Sequence, residues 1–435
     1  MSEDNNNNNV QVEEDKVRIR FITNDENIRV TETPFGVPVR LGRLGLSEVV
    51  NHLRSSDASE HRPFDFLING RFVRTSLEKH IKQAGLSEEP VINEKENQHD
   101  DWISSLDGCL SSGLIVTGSY DLGTRVVNGL DGATLLTTVG HSAPVKSVAW
   151  VNSQDRSQLE YVSASHDMTI RLWSCNLDQK TYKTRAIFQE HTGTVESVSV
   201  SPDGSKMVSG AMDSKIKLWD LKNIKSSSVT NPTQSKKKRK TTDTTTTEEE
   251  PDYLKEKDIQ TVNESITSLE GHTQGVLSVC WPTQFQILTG GMDHGIKLWD
   301  IETMTCTDTI RSGGVAIHDV TYSTESTLIA TAQAEKTVRI WDPRVSDGKY
   351  NVQSMLSHKS WVTSIRWHPT SQNQLVSSSH DGTVKFWDIR TKIPLYTLDK
   401  HTDKVLCVGW SSNSSTSTNP SIVSGGADSK LKIYK

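Results

Sequence analysis

The 435-residue sequence predicts an all-β seven-bladed propeller preceded by a small α+β roll. Three observations predict it. First, Trp-Asp pairs close four segments, at Trp219-Asp220, Trp299-Asp300, Trp341-Asp342 and Trp387-Asp388. Second, an acid stands six residues before each of these tryptophans (Asp213, Asp293, Glu335, Asp381), and the same offset recovers Asp167 before Trp173, Asp428 before Tyr434 and Asp121 before Val127. That makes seven registers. Third, the residues before Asp101 have another texture, with strand and helix patterns alternating.

Each blade carries further columns. Four residues before the acid stand Thr117, Ser163, Ser209, Thr289, Thr331, Ser377 and Ser424, all hydroxyl residues. Four residues after it stand Arg125, Arg171, Lys217, Lys297, Arg339, Lys385 and Lys432, and the positions three and five after it are apolar in every repeat but the first. Such alternation is a strand on a half-buried pleated face. Long cationic stems also cover apolar surface with the head in water, so the basic column reads as packing before it reads as a phosphate groove.

Most repeats open with a histidine 21 to 27 residues before the acid: His141, His191, His272, His358 and His401, two of them in Gly-His pairs. This pattern resembles the WD40 family over about residues 101–435. In that family the acid, the histidine, a hydroxyl and the tryptophan form one hydrogen-bonded set that holds the blade. With the hydroxyl two residues before the acid, only His141/Ser165/Asp167/Trp173 and His358/Ser379/Asp381/Trp387 keep all four members. Repeats with Ala211, Gly291, Gln333 or Gly426 there are expected to manage with fewer bonds. A hydrolytic triad is the competing reading, but a catalytic site is single and these sets recur at blade spacing.

The Trp spacings include one gap of 80 residues, from Trp219 to Trp299. Residues 221–265 account for it: a Ser/Thr/Lys-rich stretch with Lys236-Lys237-Lys238-Arg239-Lys240, then Glu248-Glu249-Glu250. It reads as a disordered surface insertion between blades three and four. Five consecutive cations resemble a nuclear localisation signal, the alternatives being a solvated charge run or an RNA-brushing tail.

Residues 1–15, acidic with an Asn5 to Asn9 run, read as a disordered tail. Residues 16–96 then give the roll. Val17, Ile19 and Phe21 alternate as a strand, a second strand runs around Val37 to Leu41, and Ser47 is placed to cap a helix carrying Val49, Val50 and Leu53. Phe64 to Ile68, Asn69-Gly70 and Arg71 to Arg74 make a two-residue hairpin. Ser76 to Ala84 follows as a helix and Val91-Ile92 as a last strand. The order ββαββαβ fits a ubiquitin-like roll. The chain runs on past it without a terminal Gly-Gly, which points to a docking module rather than a conjugation tag.

Composition narrows the function classes. Charged residues make up 23% with a net charge of −6, and no run approaches a membrane span or a secretory signal. The five cysteines are widely spaced with no C-x-x-C pair, as expected of free thiols in a reducing cytosol or nucleus. No G-x-x-x-x-G-K-[ST], H-E-x-x-H or G-x-S-x-G occurs, so no enzyme is expected.

Several stretches are more specific: Gly45-Leu46-Ser47-Glu48-Val49-Val50-Asn51-His52-Leu53, Phe64 to Ile68, His99-Asp100-Asp101-Trp102-Ile103-Ser104-Ser105-Leu106, and Thr117 to Asp121. They resemble the ribosome-biogenesis WD-repeat subunits of the Pescadillo (PeBoW) complex, whose N-terminal module is the Notchless-like NLE domain. The resemblance implies a non-enzymatic scaffold in 60S subunit assembly and pre-rRNA processing, in the nucleolus and nucleoplasm, without a membrane. It implies that the propeller docks on the BOP subunit and that Pescadillo joins through BOP. It also implies that the NLE domain is gripped by the AAA ATPase midasin, which removes the subunit from pre-60S particles. No cofactor of its own is implied, since the Mg²⁺ belongs to midasin. The family's carboxylate ligand to that Mg²⁺ falls on Glu89, after Gly85-Leu86-Ser87, with Glu88 as rival by a one-residue slip. The linker after Ile92 is shorter than in the family, so closure of the last blade by an N-terminal strand is expected to be shared or incomplete. The competing function is a WD40 adaptor of a ubiquitin-ligase or signalling complex.

Overall fold

A computed structural model describes residues 99–224, 259–345, 350–411 and 420–434, and before them residues 16–19, 21, 35–38, 40–53, 64, 66–68, 71–73 and 76–77. The chain divides into two compact units, Met1–Val91 and Ile92–Lys435.

In the first unit, β1 (Lys16–Ile19) pairs antiparallel with β2 (Phe35–Pro38), α1 (Arg43–Leu53) follows, and β3 (Leu67–Ile68) pairs with β4 (Arg71–Phe72). Val37, Leu46, Val73 and Leu77 form its buried core, with Phe21 and Phe66 rings 5.2 Å apart beside them. The expected N-cap is corrected. Helix α1 begins at Arg43, so Ser47 lies inside it. The Ser47 hydroxyl accepts the Phe64 N–H at 2.9 Å and lies 2.9 Å from the Arg43 carbonyl, latching the strand entry to the helix. The expected second helix beyond Leu77 and the strand at Val91-Ile92 lie outside the described residues.

The second unit is a seven-bladed propeller. Blade one is β5 (Ile103–Gly108), β6 (Leu114–Ser119), β7 (Gly123–Asn128) and β8 (Thr134–Val139). Blade two is β9 (Val145–Asn152), β10 (Leu159–Ser165), β11 (Ile170–Asn176) and β12 (Thr181–Phe188). Blade three holds β13 (Val195–Val200), β14 (Lys206–Ala211) and β15 (Ile216–Asp220). After the insertion come β16 (Gln260–Val262) and β17 (Thr267–Leu269). Blade four is β18 (Val276–Cys280), β19 (Gln286–Gly291), β20 (Gly295–Asp300) and β21 (Thr305–Arg311). Blade five is β22 (Ile317–Tyr322), β23 (Ile329–Gln333), β24 (Thr337–Trp341) and β25 (Asn351–Leu356). Blade six is β26 (Val362–Trp367), β27 (Gln374–Ser379), β28 (Val384–Asp388) and β29 (Pro394–Leu398). Blade seven is β30 (Val405–Ser411), β31 (Ser421–Gly426) and β32 (Leu431–Tyr434).

The insertion is also corrected. Strand β17 pairs with β15, so residues 221–265 interrupt blade three instead of separating it from blade four. Its ends are ordered: Leu221 and Ile224 are buried between blades two and three, and β16 adds a parallel fifth strand to β12 of blade two. Lys236, Lys237, Lys238, Arg239 and Lys240 lie outside the described residues.

The innermost strands β5, β9, β13, β18, β22, β26 and β30 touch in succession, and β30 returns to β5. Seven apolar clusters, one between each pair of neighbouring blades, make up the core. The cluster of Ile103, Leu106, Ile115 and Val127 against Cys407, Val423, Leu431 and Ile433 joins the last blade to the first. The ring is therefore closed by side-chain packing, while blade seven counts three strands among the described residues.

Each innermost strand carries a register shift near its start, for example between Ile103 and Ser105 and between Val195 and Ser197. Immediately after the bulge, a hydroxyl or acid reaches the next blade. Ser105, Ser147, Ser197 and Ser278 accept the N–H of Val148, Val198, Val279 and Val320 at 3.1 to 3.2 Å. Asp319 accepts the Ile365 N–H at 3.0 Å and the Ser278 and Ser364 hydroxyls at 2.9 and 2.8 Å. It thereby binds three blades together.

Candidate docking face and the blade relays

Six blades contain a histidine bonded to an acid and a hydroxyl, and in four of them a tryptophan indole completes the relay. His141 Nδ1 lies 2.7 Å from Asp167 and its Nε2 lies 2.7 Å from Ser163, whose oxygen accepts the Trp173 indole N–H at 2.8 Å. His358 does the same with Asp381 at 3.0 Å and Ser377 at 2.8 Å, and Ser377 takes the Trp387 N–H at 2.8 Å. His191 pairs with Asp213 and Ser209, and His272 with Asp293 and Thr289, in the same way. His401 joins Asp428 and Ser424, with the Tyr434 hydroxyl 3.5 Å from Ser424 in place of an indole. His99, which the repeat pattern missed, serves blade one through Asp121 at 2.7 Å and Thr117 at 2.8 Å. Its offset of 22 residues from Asp121 was the available signal.

This corrects the hydroxyl assignment. The relay uses the column four residues before the acid, so Ser163 and Ser377 act where Ser165 and Ser379 were expected. Ser165 instead donates to the Ala143 carbonyl at 2.9 Å and accepts the Asp167 N–H at 3.1 Å, and Ser379 accepts the Asp381 N–H at 3.1 Å. Ala211, Gly291 and Gly426 therefore cost their blades no relay member. The relay serines are fully buried between imidazole and indole, which leaves no nucleophile facing solvent. Burial opposes ionisation of the acids, but the histidine hydrogen bonds and turn N–H groups outweigh it, so Asp121 and Asp213 fall to about 2. Burial pushes His272 and His358 down. In these two blades the imidazole is thus neutral, donating to the acid and accepting from the hydroxyl.

The relay turns all lie at one end of the ring, and there the bulges re-aim side chains outward. The residue before each acid donates its N–H to the residue two before the bulge: Tyr120 to Trp102, His166 to Pro144, Met212 to Thr194, Met292 to Gly275, Ala334 to Ala316, His380 to Trp361 and Ala427 to Lys404. Seven such bonds present an aromatic and methionine collar. Trp102 is 40% exposed, Trp361 50%, Met168 44% and Met212 40%. Trp102 and Tyr120 rings stand 5.5 Å apart, and Tyr120 and His166 5.9 Å. Trp361 lies between His318 at 5.9 Å and His380 at 5.8 Å.

Charge on the collar is sparse. Lys146, at the bulge of blade two, donates to the Tyr120 hydroxyl at 3.4 Å and sits 3.7 Å from Glu196. Burial, with His380 and Lys146 nearby, pushes His318 down to about 4, and burial lowers His380 too. Both rings are therefore uncharged at neutral pH and offer apolar faces. An apolar patch of this kind on a rigid ring is the form that protein docking takes.

Members of the basic column are engaged by acids. Lys217 is buried and pairs with Glu190 at 2.5 Å, and Arg339 pairs with Glu335 at 2.8 Å. Glu89 and Glu88 lie outside the described residues. Among the described residues no group of His, Cys, Asp and Glu could hold a metal ion, and no helix is long and apolar enough to cross a membrane.

Comparison with known proteins agrees with this architecture. The NLE (NUC135) domain model matches residues 17–81, and the WD domain, G-beta repeat model matches six segments from residue 132 to residue 435. The structure adds blade one, which lacks a tryptophan at Val127. The ribosome biogenesis protein WDR12 homolog of Dictyostelium discoideum is 51% identical over 457 residues, covering 100% of this chain and 98% of its own. The WDR12 homolog of Nematostella vectensis is 33% identical over 97% of this chain and 99% of its own. The ribosome biogenesis protein YTM1 of Meyerozyma guilliermondii is 34% identical over 97% of this chain and 96% of its own. With an NLE domain ahead of a seven-bladed WD propeller and identity along the full length, the chain belongs to the WDR12/YTM1 family of ribosome biogenesis proteins.

Proposed function

We propose that the protein is a non-enzymatic scaffold in 60S subunit assembly and pre-rRNA processing toward 5.8S and 25S/28S rRNA. In this reading the propeller holds the BOP subunit through the collar around Trp102, Tyr120, His318 and Trp361, and Pescadillo joins through BOP. The observation that carries it is the exposed aromatic collar on a ring whose His/Ser/Asp sets are buried and occupied with one another. The NLE domain is the handle for midasin, with the Glu89 carboxylate, or Glu88 by a one-residue slip, filling the open position on midasin's Mg²⁺. The protein needs no cofactor of its own. Lys236 to Lys240 direct it to the nucleus, where it works in nucleolus and nucleoplasm.

The test is affinity purification of the tagged protein as wild type, Trp102→Ala/Trp361→Ala and Glu89→Ala. Two buried aromatic anchors lost at an interface centre cost at least about 2 kcal/mol each, so BOP recovery should fall by more than about 100-fold in the double variant. Glu89→Ala should keep BOP, Pescadillo and pre-60S particles and lose midasin. Recovery of a cullin complex without ribosomal precursors would favour the ubiquitin-ligase adaptor instead.

A further inference from the structure

Blade five departs from the other six where the relay histidine belongs. Four residues before the first residue of the innermost strand stand His99, His141, His191, His272, His358 and His401 in six blades, and Gly313 in the fifth. Gly313 and Gly314 both have φ of +92°, a conformation that excludes an ordinary side chain there. Gln333 replaces the inner half of the relay: its Nε2 reaches Thr331 at 3.2 Å, and Trp341 still donates to Thr331 at 2.9 Å.

Beside it lies a cleft of about 410 Å³ between β21 of blade four and β24 and β25 of blade five. Arg311, Arg339, Trp341, Tyr350, Asn351 and Thr309 line it. Arg311 is exposed, and its side chain makes no hydrogen bond or ion pair among the described residues. Arg339 donates to the Ser312 carbonyl at 2.7 Å and forms an ion pair with Glu335 at 2.8 Å, and its buried Nε has no partner among the described residues. Lys297 adds a third cation, 3.1 Å from the Thr309 hydroxyl. Two acids stand close by, Glu335 ion-paired with Arg339 and Asp308 3.5 Å from the Tyr350 hydroxyl, against the three cations Arg311, Arg339 and Lys297.

We propose that this blade-five cleft binds an anionic group, a phosphate or a carboxylate, carried on an aromatic or apolar stem. Arg311 offers a planar pair of donors that suits either anion. The Arg339 Nε–H and the Asn351 amide supply further donors, and Trp341 and Tyr350 give the stem an apolar wall. The site stands apart from the collar and does not depend on the identity of the propeller's main partner.

Phenyl phosphate and benzoate are the probes, titrated against the full-length protein by saturation-transfer NMR at physiological salt. Wild type should bind at one site. Arg311→Gln and Tyr350→Leu should each weaken binding about tenfold or more, as expected when a charge-assisted hydrogen bond or an aromatic contact is lost. Lys215→Gln, an exposed cation of blade three, should leave it unchanged. Tighter phenyl phosphate identifies a phosphate-bearing ligand and equal binding a carboxylate, and both support the site. No binding of either probe, or binding indifferent to Arg311→Gln, overturns it. Circular dichroism of the variants separates lost binding from lost fold.

Discussion

At the scale of single residues, the relays bind the molecule's behaviour to pH. Asp121, Asp167, Asp213, Asp293, Asp381 and Asp428 are all held below the ordinary 3.8, because the hydrogen bonds to their carboxylates outweigh burial. His272 and His358 are held below 6.5 by burial. In both cases the unfolded chain takes up the proton first as pH falls, so both contribute stability that is fully present above the unfolded value and lost below it. The thermal midpoint is therefore expected to be flat above about pH 6.5, to fall as the histidines of the unfolded chain charge, and to fall more steeply below about pH 4. Differential scanning calorimetry from pH 8 to pH 3 checks this, and a midpoint that rises between pH 6.5 and 5 would refute it. The relay was half legible. The acid, the histidines and both serine columns stood in the sequence, but Ser163 and Ser165 are two residues apart on one strand and so share a face. Only the strand's placement against the imidazole selects Ser163, and spacing along the chain carries no such information.

Elements were more legible than their boundaries. Seven repeats of alternating strand were read from offsets around the acids, because a blade must repeat its turn chemistry to repeat its shape. Helix α1 was misjudged at its start, since a serine ahead of Val49 and Val50 matches a capping pattern equally well from inside the helix. There Ser47 spends its oxygen on the Phe64 N–H, a partner 17 residues away that no local pattern signals. Ser47→Ala removes the acceptor of that part-buried N–H, which costs about 1 kcal/mol. Hydrogen exchange of the full chain should show faster exchange over residues 43–73 with the propeller unchanged. Equal protection there would mean that water replaces the hydroxyl. The insertion was misplaced for a related reason. Its length was plain in the Trp spacing, but its point of departure, after the third strand of blade three, depends on β17 pairing with β15 across that gap.

The whole molecule adds a constraint that no repeat contains, the closure of the ring. Five seams are held by a hydroxyl or carboxylate just after the bulge that accepts the next blade's N–H, and between blades six and seven the Thr363 hydroxyl donates to the Val405 carbonyl at 2.8 Å, but at the seam between blades seven and one the residue after the bulge is Cys407. Its thiol lies 3.7 Å from the Ile103 carbonyl across the seam and 3.6 Å from the Gly425 carbonyl of its own blade. A thiol is a weak donor, so this seam rests chiefly on its apolar cluster. Ile103 is the keystone of that cluster, fully buried against Gly425, where a Cβ would stand 2.6 Å from its side chain. Ile317 has the same type and repeat position in blade five and packs on Gly290 in the same way, also at 2.6 Å. Truncating either to alanine should cost about 2–5 kcal/mol. Their consequences should differ. Blades four and five are clasped on both sides by Ser278 and Asp319, so Ile317→Ala should lower global stability without local opening. Ile103→Ala should loosen β5 and β30 to β32 ahead of the rest, because the residue after the bulge there is a thiol and the apolar cluster carries the seam. Native-state hydrogen exchange compares the two variants directly. If blades four and five open in Ile317→Ala as readily as blades one and seven do in Ile103→Ala, the closing seam is no weaker than the others and the thiol clasp is as good as a hydroxyl.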